Sequence, residues 1–172
     1  MAEAVVAGGC FWCLVPPFEN LDGVHAVTTG YTGGNTENPT YKEVCTNETG
    51  HVEAVKIDYD PKIISFSKLL EVFWRQIDPT DDGGQFNDRG ESYQTAIFYG
   101  SEEEKEAAEA SKRIIDENGP FKAQVQTKIL PKSTFYPAEE EHQNYHHKHP
   151  LHYQMYKKGS GRQGFIETYW RN

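Results

Sequence analysis

Residues 51–79 read HVEAVKIDYDPKIISFSKLLEVFWRQIDP, and two periodicities meet inside this stretch. From His51 onward polar and apolar residues alternate with a period of two, the pattern of a strand, until Asp60-Pro61 stops it. Phe66, Leu69, Leu70, Phe73 and Ile77 then recur at intervals of three and four, the apolar stripe of a helix that ends before Asp78-Pro79. Side chains alternate across a strand, so Glu53 shares a face with Val55, Ile57 and Tyr59. Two environments fit that carboxyl group. Burial would raise its pKa and leave it able to donate a proton near neutrality, whereas a frayed strand end beside His51 would let it reach water.

The same alternation of strand and helix extends in both directions. EAVVAGG (Glu3–Gly9) reads as a buried strand ending in glycines, SYQTAIFYG as a later strand and QVQTKIL as the last. Ser101 followed by Glu104 has the spacing of a capping box and opens a second helix, in which Ala107, Ala108, Ile114 and Ile115 share roughly one face before Gly119-Pro120. Gly30, Gly33 and Gly34 lack the Lys-Ser/Thr ending of a phosphate-binding loop and read as a turn. From about Pro131 the chain is polar, aromatic and weakly periodic, which predicts a long coil with one turn of helix. A small mixed sheet with two good helices predicts an α+β fold, a two-layer sandwich formed as a single domain over residues 1–172.

Composition narrows the function. The 172 residues carry 17 Lys+Arg against 26 Asp+Glu, a net charge of -9, which is the wrong sign for holding nucleic-acid phosphates. No segment approaches the roughly 18 uninterrupted apolar residues of a membrane span, and the first residues show no basic region of an export signal. A soluble cytoplasmic protein is expected. The three cysteines are too few and odd in number for a disulfide scaffold, which suits a reducing compartment and thiols kept for chemistry.

Two of those cysteines, Cys10 and Cys13, stand in GGCFWC. A structural zinc site wants four ligands, commonly two such pairs, and here there is one pair plus Cys45 and scattered histidines. Cysteines packed as small hydrophobes are common, yet that role explains neither the spacing nor the placement behind a strand. At the start of a turn or helix, outward-pointing backbone N–H groups lower a thiol pKa, which would make Cys10 a nucleophile with Cys13 close enough to form a disulfide. Pro16 and Pro17 are tolerated in a first helical turn but not in a helix interior, so a continuous helix from Cys10 to Asn20 is not expected.

GCFWC, GYTGG, NPTYKEVC, GHVEAVKIDYDP, FWRQIDPT, NDRGESYQTAIFY and AEEEHQNY follow one another between residues 9 and 145. In this ordered series the chain closely resembles the A-type peptide methionine sulfoxide reductases over nearly its whole length. The resemblance implies reduction of the S epimer of methionine sulfoxide, free or in proteins, to methionine, and a ferredoxin-like α/β sandwich with an extended C-terminal coil. It implies Cys10 as the attacking thiolate, with Phe11 and Trp12 as an apolar wall for the substrate methyl group. It implies Glu53 as the acid that protonates the sulfoxide oxygen, Tyr41 and Tyr93 as hydroxyls that hold that oxygen, and Asp88 acting through a water or substrate amides. His142 and Tyr145 match positions at the rim of the pocket. No metal or prosthetic group is implied; a monomer recycled by thioredoxin or another dithiol is.

The oxidised product would be Cys10 sulfenic acid, which condenses with a thiol to a disulfide. Many relatives have Gly where Cys13 stands and carry the resolving cysteine in a C-terminal tail; here none follows Cys45. Cys13, Cys45 and an outside thiol remain as candidates, and Cys13 is favoured by the shortest intervening loop. Cys45 itself is expected in the core or at an edge. Two other classes compete: a zinc module using Cys10, Cys13, Cys45 and a histidine, and a cysteine hydrolase with His51 or His142 as base. Five of the seven histidines lie between His142 and His152, where a solvated tail with a few packed rings is expected in preference to a metal site.

Overall fold

The structure, a computed structural model, describes residues 1–170. It is a mixed α/β fold built on one six-stranded sheet in the order β7-β6-β1-β3-β2-β8. The strands are β1 (Ala2–Gly8), β2 (Val24–Thr32), β3 (Val52–Tyr59), β6 (Thr95–Tyr99), β7 (Lys128–Pro131) and β8 (Tyr136–Pro137), with β4 (Gly84–Gln85) and β5 (Asp88–Arg89) forming a separate ribbon. All pairings in the large sheet are antiparallel except β6 with β7, so the sheet is mixed as expected. The helices are α1 (Val15–Glu19), α2 (Tyr41–Cys45), α3 (Phe66–Trp74), α4 (Glu102–Asn118), α5 (Tyr145–Lys148), α6 (Pro150–Ser160) and α7 (Arg162–Tyr169).

The two faces of the sheet differ. Ala4 and Val6 of β1, Val55, Ile57 and Tyr59 of β3 and Ile97 of β6 form one core with Phe18 of α1, Leu69, Leu70 and Phe73 of α3, and Ala108 of α4. Val5, Ala7, Ala54, Ala96 and Phe98 form a smaller cluster on the other face, against Val52 and Phe135. The alternation in residues 51–59 is therefore a two-sided strand, and Glu53 lies on the major-core side.

Ser101 caps α4 by accepting the Glu104 N–H at 3.2 Å, although the Glu104 side chain turns to the Gly100 N–H rather than closing the box. Ile114 departs from the expected face: it is 59% exposed, while Ala108 is buried and Ile115 half-buried. Gly30 is no turn residue. It sits inside β2, where a Cβ would meet the Phe135 ring at 2.4 Å, so glycine is what lets the chain after β7 cross the sheet.

The largest correction concerns the C-terminal segment. In place of a coil from 131, residues 145–169 form three helices, with Pro150 at the first turn of α6 and Gly161, at φ +96°, between α6 and α7. Their sequence lacks a clean stripe because few but large side chains dock them. Tyr153, Arg162 and Trp170 are buried, and the Trp170 indole donates to the Ile77 carbonyl at 2.9 Å. Tertiary packing, rather than periodicity, stabilises these turns.

Candidate active site

β1 ends at Gly8, and Gly9, at φ +86°, turns the chain into a single 3-10 turn over Phe11–Leu14 with Cys10 at its cap. The Cys13 N–H closes the turn on the Cys10 carbonyl at 3.1 Å. Pro16 and Pro17 fall in the first turn of α1, so the helix is broken where the prolines predicted. Cys10, Cys13 and Phe11 are buried and Trp12 is half-buried.

Glu53 comes from the neighbouring β3. It is 1% exposed, which settles the choice between core and frayed edge. Its Oε1 accepts the Phe11 N–H at 3.1 Å, and its Oε2 is buried without a partner. Burial pushes the Glu53 carboxyl up to about 8, against the hydrogen bond from Phe11. At neutral pH the group is therefore mostly a neutral acid with one oxygen free.

Tyrosines surround this carboxyl. Thr40 and Glu43 form a capping box that starts α2 at Tyr41, and its Thr-x-x-Glu signal is present in the sequence. Tyr93 lies in a 3-10 turn before β6 rather than in the strand. Burial raises the pKa of both phenols, with Glu53 adding to the effect, so both keep their protons as donors. Asp88, on β5, accepts a hydrogen bond from the hydroxyl of Tyr156 on α6. Cys45, the last residue of α2, is exposed and lies beside Tyr41 and Tyr93.

His142 and Tyr145 both pack on Trp12. The Tyr145 ring stacks on the indole at 3.9 Å and 9°, while the indole Nε1 donates to His142 Nδ1 at 3.3 Å. Burial lowers the His142 pKa. Glu139 accepts the Tyr31 hydroxyl at 2.9 Å with one oxygen and the Tyr41 N–H at 3.0 Å with the other, tying α2 to β2. Sequence reasoning missed Glu139, Tyr31, Tyr153, Tyr156 and Arg162. The quoted motif AEEEHQNY contained Glu139, but nothing singled it out from its acidic neighbours.

The expected lowering of the Cys10 pKa is not found. Its side chain makes no cap hydrogen bond, and burial holds the thiol well above the ordinary range, with Cys13, Glu53 and Asp88 adding to the effect. Cys13 is displaced the other way by the hydrogen bond from Cys10, against burial and with help from Arg162. The groups of metal-ligating atoms that converge among the described residues, Glu19–His146–His147 and Glu139–Glu141–His142, contain no cysteine. His51 is engaged at both nitrogens, by the Gly34 N–H and the Thr36 carbonyl, and His142 Nδ1 by Trp12. His142 is buried and His146 half-buried while His147, His149 and His152 are exposed, which agrees with a solvated tail carrying a few packed rings; Glu19 holds both His146 and His147 and fastens α5 to α1.

Residues 2–172 match the family model described as peptide methionine sulfoxide reductase. The chain belongs to that family. Among curated relatives of this reductase family, MsrA of Bacillus licheniformis is 58% identical over 167 residues, covering 97% of this chain and 92% of that one. MsrA 2 of Staphylococcus aureus strain MW2 is 54% identical over 169 residues, covering 98% and 96%. Among solved structures, Mxr1 of Saccharomyces cerevisiae in reduced form is similar at a TM-score of 0.80 and 30% identity, covering 87% of this chain and 86% of that one. Methionine sulfoxide reductase A of Corynebacterium diphtheriae has a TM-score of 0.77 and 34% identity, covering 87% and 75%. As a member of the peptide methionine sulfoxide reductase family the protein is a thiol-dependent oxidoreductase that returns methionine sulfoxide to methionine.

Proposed function

We propose that this reductase acts on the S epimer, free or in proteins, with Cys10 as nucleophile, Glu53 as proton donor and Cys13 as resolving thiol. The observation that carries this reading is the buried, unpartnered Oε2 of a carboxyl that meets the Cys10–Cys13 turn through the Phe11 N–H. A sulfoxide sulfur accepts a thiol only when charge on its oxygen is neutralised, so a nucleophile at sulfur and an acid at oxygen must act together. Tyr41 and Tyr93 stabilise the oxygen as already positioned donors. Phe11 and Trp12, the latter held by His142 and Tyr145, wall the methyl group, and Asp88 orients the substrate amides or a water.

The sulfur of Cys10 takes the oxygen, giving methionine and Cys10 sulfenic acid. Cys13 then attacks the Cys10 sulfur, a disulfide forms and water leaves, so two thiols supply the two electrons. An external dithiol returns both cysteines to thiols by exchange. Thioredoxin is the proposed dithiol; Mxr1 of Saccharomyces cerevisiae has been solved in complex with Trx2. The electrons come from sulfur alone, so the reading needs no metal or prosthetic group. A cytoplasmic location is part of this reading, the small and odd number of cysteines suiting a reducing compartment.

The β1-α1-β2-β3-α3-β6 succession with central strand order β6-β1-β3-β2 supports describing the core as a ferredoxin-like sandwich. One core cluster runs from Ala4 to Trp170, which supports a single catalytic domain. No helix among the described residues is long and apolar enough to cross a membrane, and the acidic charge argues against nucleic acid as a partner.

Turnover of the separate epimers with thioredoxin, in wild type, Cys10→Ser, Cys13→Ser and Glu53→Gln, tests the reading. Consumption of the S epimer alone is expected, abolished by Cys10→Ser and impaired by Glu53→Gln. Full thioredoxin-dependent recycling in Cys13→Ser would overturn the resolving role.

A further inference from the structure

Glu19 closes α1, and His146 and His147 stand side by side on α5, so that one small cluster is assembled from opposite ends of the chain. The Nε2 of His146 lies 2.7 Å from Glu19 Oε1, and the Nε2 of His147 lies 3.1 Å from Oε1 and 3.2 Å from Oε2. Side chains at successive helix positions ordinarily diverge. Here the two rings pack with their centres 4.0 Å apart and turn to the same carboxyl group, and one atom from each of the three residues lies within 4.8 Å of the others.

The charge of Glu19 has no permanent partner. Its side chain is 20% exposed, and among the described residues no lysine or arginine pairs with it. Lys148, next along the helix, is turned to Glu140 instead. An imidazole is a cation only when protonated, so two neutral rings leave a sheltered carboxylate facing two nitrogen atoms that can each act as a ligand. That donor set selects its ion. Imidazole nitrogen with a single carboxylate oxygen suits zinc and its transition-metal neighbours, whereas calcium and magnesium require more oxygen. With zinc bonds of about 2.0–2.1 Å, tetrahedral ligand atoms stand about 3.3 Å apart, close to the separations found here.

We propose that Glu19, His146 and His147 form a zinc site apart from the reaction centre, with water as fourth ligand, and that the ion fastens α5 to α1. The buried ring of His146 is the fixed member; the His147 side chain, 65% exposed, is the side from which the ion and its water enter. His146 Nδ1 is buried without an oxygen or nitrogen partner, so Nε2 is the nitrogen of that ring turned to the cluster. Metal-bound histidines ordinarily donate from their second nitrogen, and the lack of such a partner makes this a site of moderate affinity. α5 begins at Tyr145, whose ring stacks on Trp12, so an ion here holds the outer support of that indole in place. Because it binds the docked helix, zinc stabilises the fold by mass action.

Calorimetric titration of the reduced protein with zinc chloride tests the site. Wild type is expected to bind one equivalent with a micromolar Kd, and Glu19→Gln and His147→Ala to weaken binding by about 10²-fold or more. Zinc should raise the unfolding temperature of wild type and leave that of both variants unchanged. Should Glu19→Gln not fold, His147→Ala carries the test, since its ring is mostly exposed and its turnover of methionine sulfoxide without zinc should equal that of wild type. The cysteines are the competing ligands, so cobalt(II) is titrated in parallel: thiolate ligation gives intense charge-transfer absorption that nitrogen and oxygen ligands do not. Binding weaker than millimolar, binding unchanged in His147→Ala, or a thiolate band at the first equivalent of cobalt would overturn the proposal.

Discussion

Glu53 accepts the Phe11 N–H at 3.1 Å through one carboxyl oxygen and keeps the other buried and unpartnered. The bond fixes the carboxyl against the turn that carries Cys10, and the free oxygen is where a proton can be handed to a substrate. Glu53→Gln keeps the shape and an acceptor for Phe11 but removes the acid. Its kcat is expected to fall by about 10²-fold or more, in the range of general-acid contributions. Wild-type kcat should decline as pH rises through about 8, where the carboxyl ionises, and the variant should lose that limb. A pH profile unchanged by the substitution would remove Glu53 from the acid role.

The same carboxyl has a stability signature. Its folded pKa, about 8, is raised above the ordinary 4.5, so between those values the native state holds a proton that the unfolded chain has released. Stability then falls as pH rises, by at most about 1.4 kcal/mol per unit. The loss is absent below the unfolded value and complete above the folded one. In urea unfolding, Glu53→Gln should gain on wild type between pH 5 and 8; a constant difference across that window would show that the carboxyl titrates normally.

Trp12 is held by the Tyr145 ring, stacked at 3.9 Å. Tyr145→Ala should release the indole, shift its fluorescence and raise KM about fivefold, the equivalent of losing about 1 kcal/mol of aromatic contact. Tyr145→Phe, which keeps the ring but not the hydroxyl bonded to His152, should behave like wild type. Equal damage from both variants would place the importance in the hydroxyl instead.

Glu139 bridges the Tyr31 hydroxyl and the Tyr41 N–H. Glu139→Ala leaves the buried phenol of Tyr31 without its acceptor, and a loss of about 1–3 kcal/mol is expected in denaturant unfolding. Because α2 carries Tyr41, kcat should fall as well. Intact stability would mean that another acceptor replaces the carboxylate.

Gly9, at φ +86°, turns the chain out of β1 toward Cys10, and a Cβ there would lie 2.7 Å from the Gln85 Cβ. Gly9→Ala is expected to cost about 1–3 kcal/mol through backbone strain and to lower turnover by displacing Cys10. Thermal unfolding beside kcat checks both effects.

Much of this was legible in the sequence where one signal dominated. The period-two run at residues 51–59, the stripe from Phe66 and the Ser101 cap each matched an element, because local pattern and burial agreed there. The run VHAVTTGYT of β2 was passed over although its β-branched residues were a usable strand signal. The C-terminal helices were not legible, since a few large contacts from Tyr153, Arg162 and Trp170 hold them, and these leave no periodic trace. Site residues drawn from motifs were named in advance. Arg162, Tyr153 and Tyr156 were not, because their relation to Cys10 and Cys13 exists only once α6 and α7 fold back on the turn.

A single turnover without reductant, followed by peptide mapping, tests the central claim most directly. Reduced protein given one equivalent of the S epimer should yield one equivalent of methionine and a Cys10–Cys13 disulfide, with Cys45 still a free thiol. A bridge from Cys10 to Cys45, or methionine formed with no bridge at all, would contradict the assignment of both halves of the redox chemistry to GCFWC.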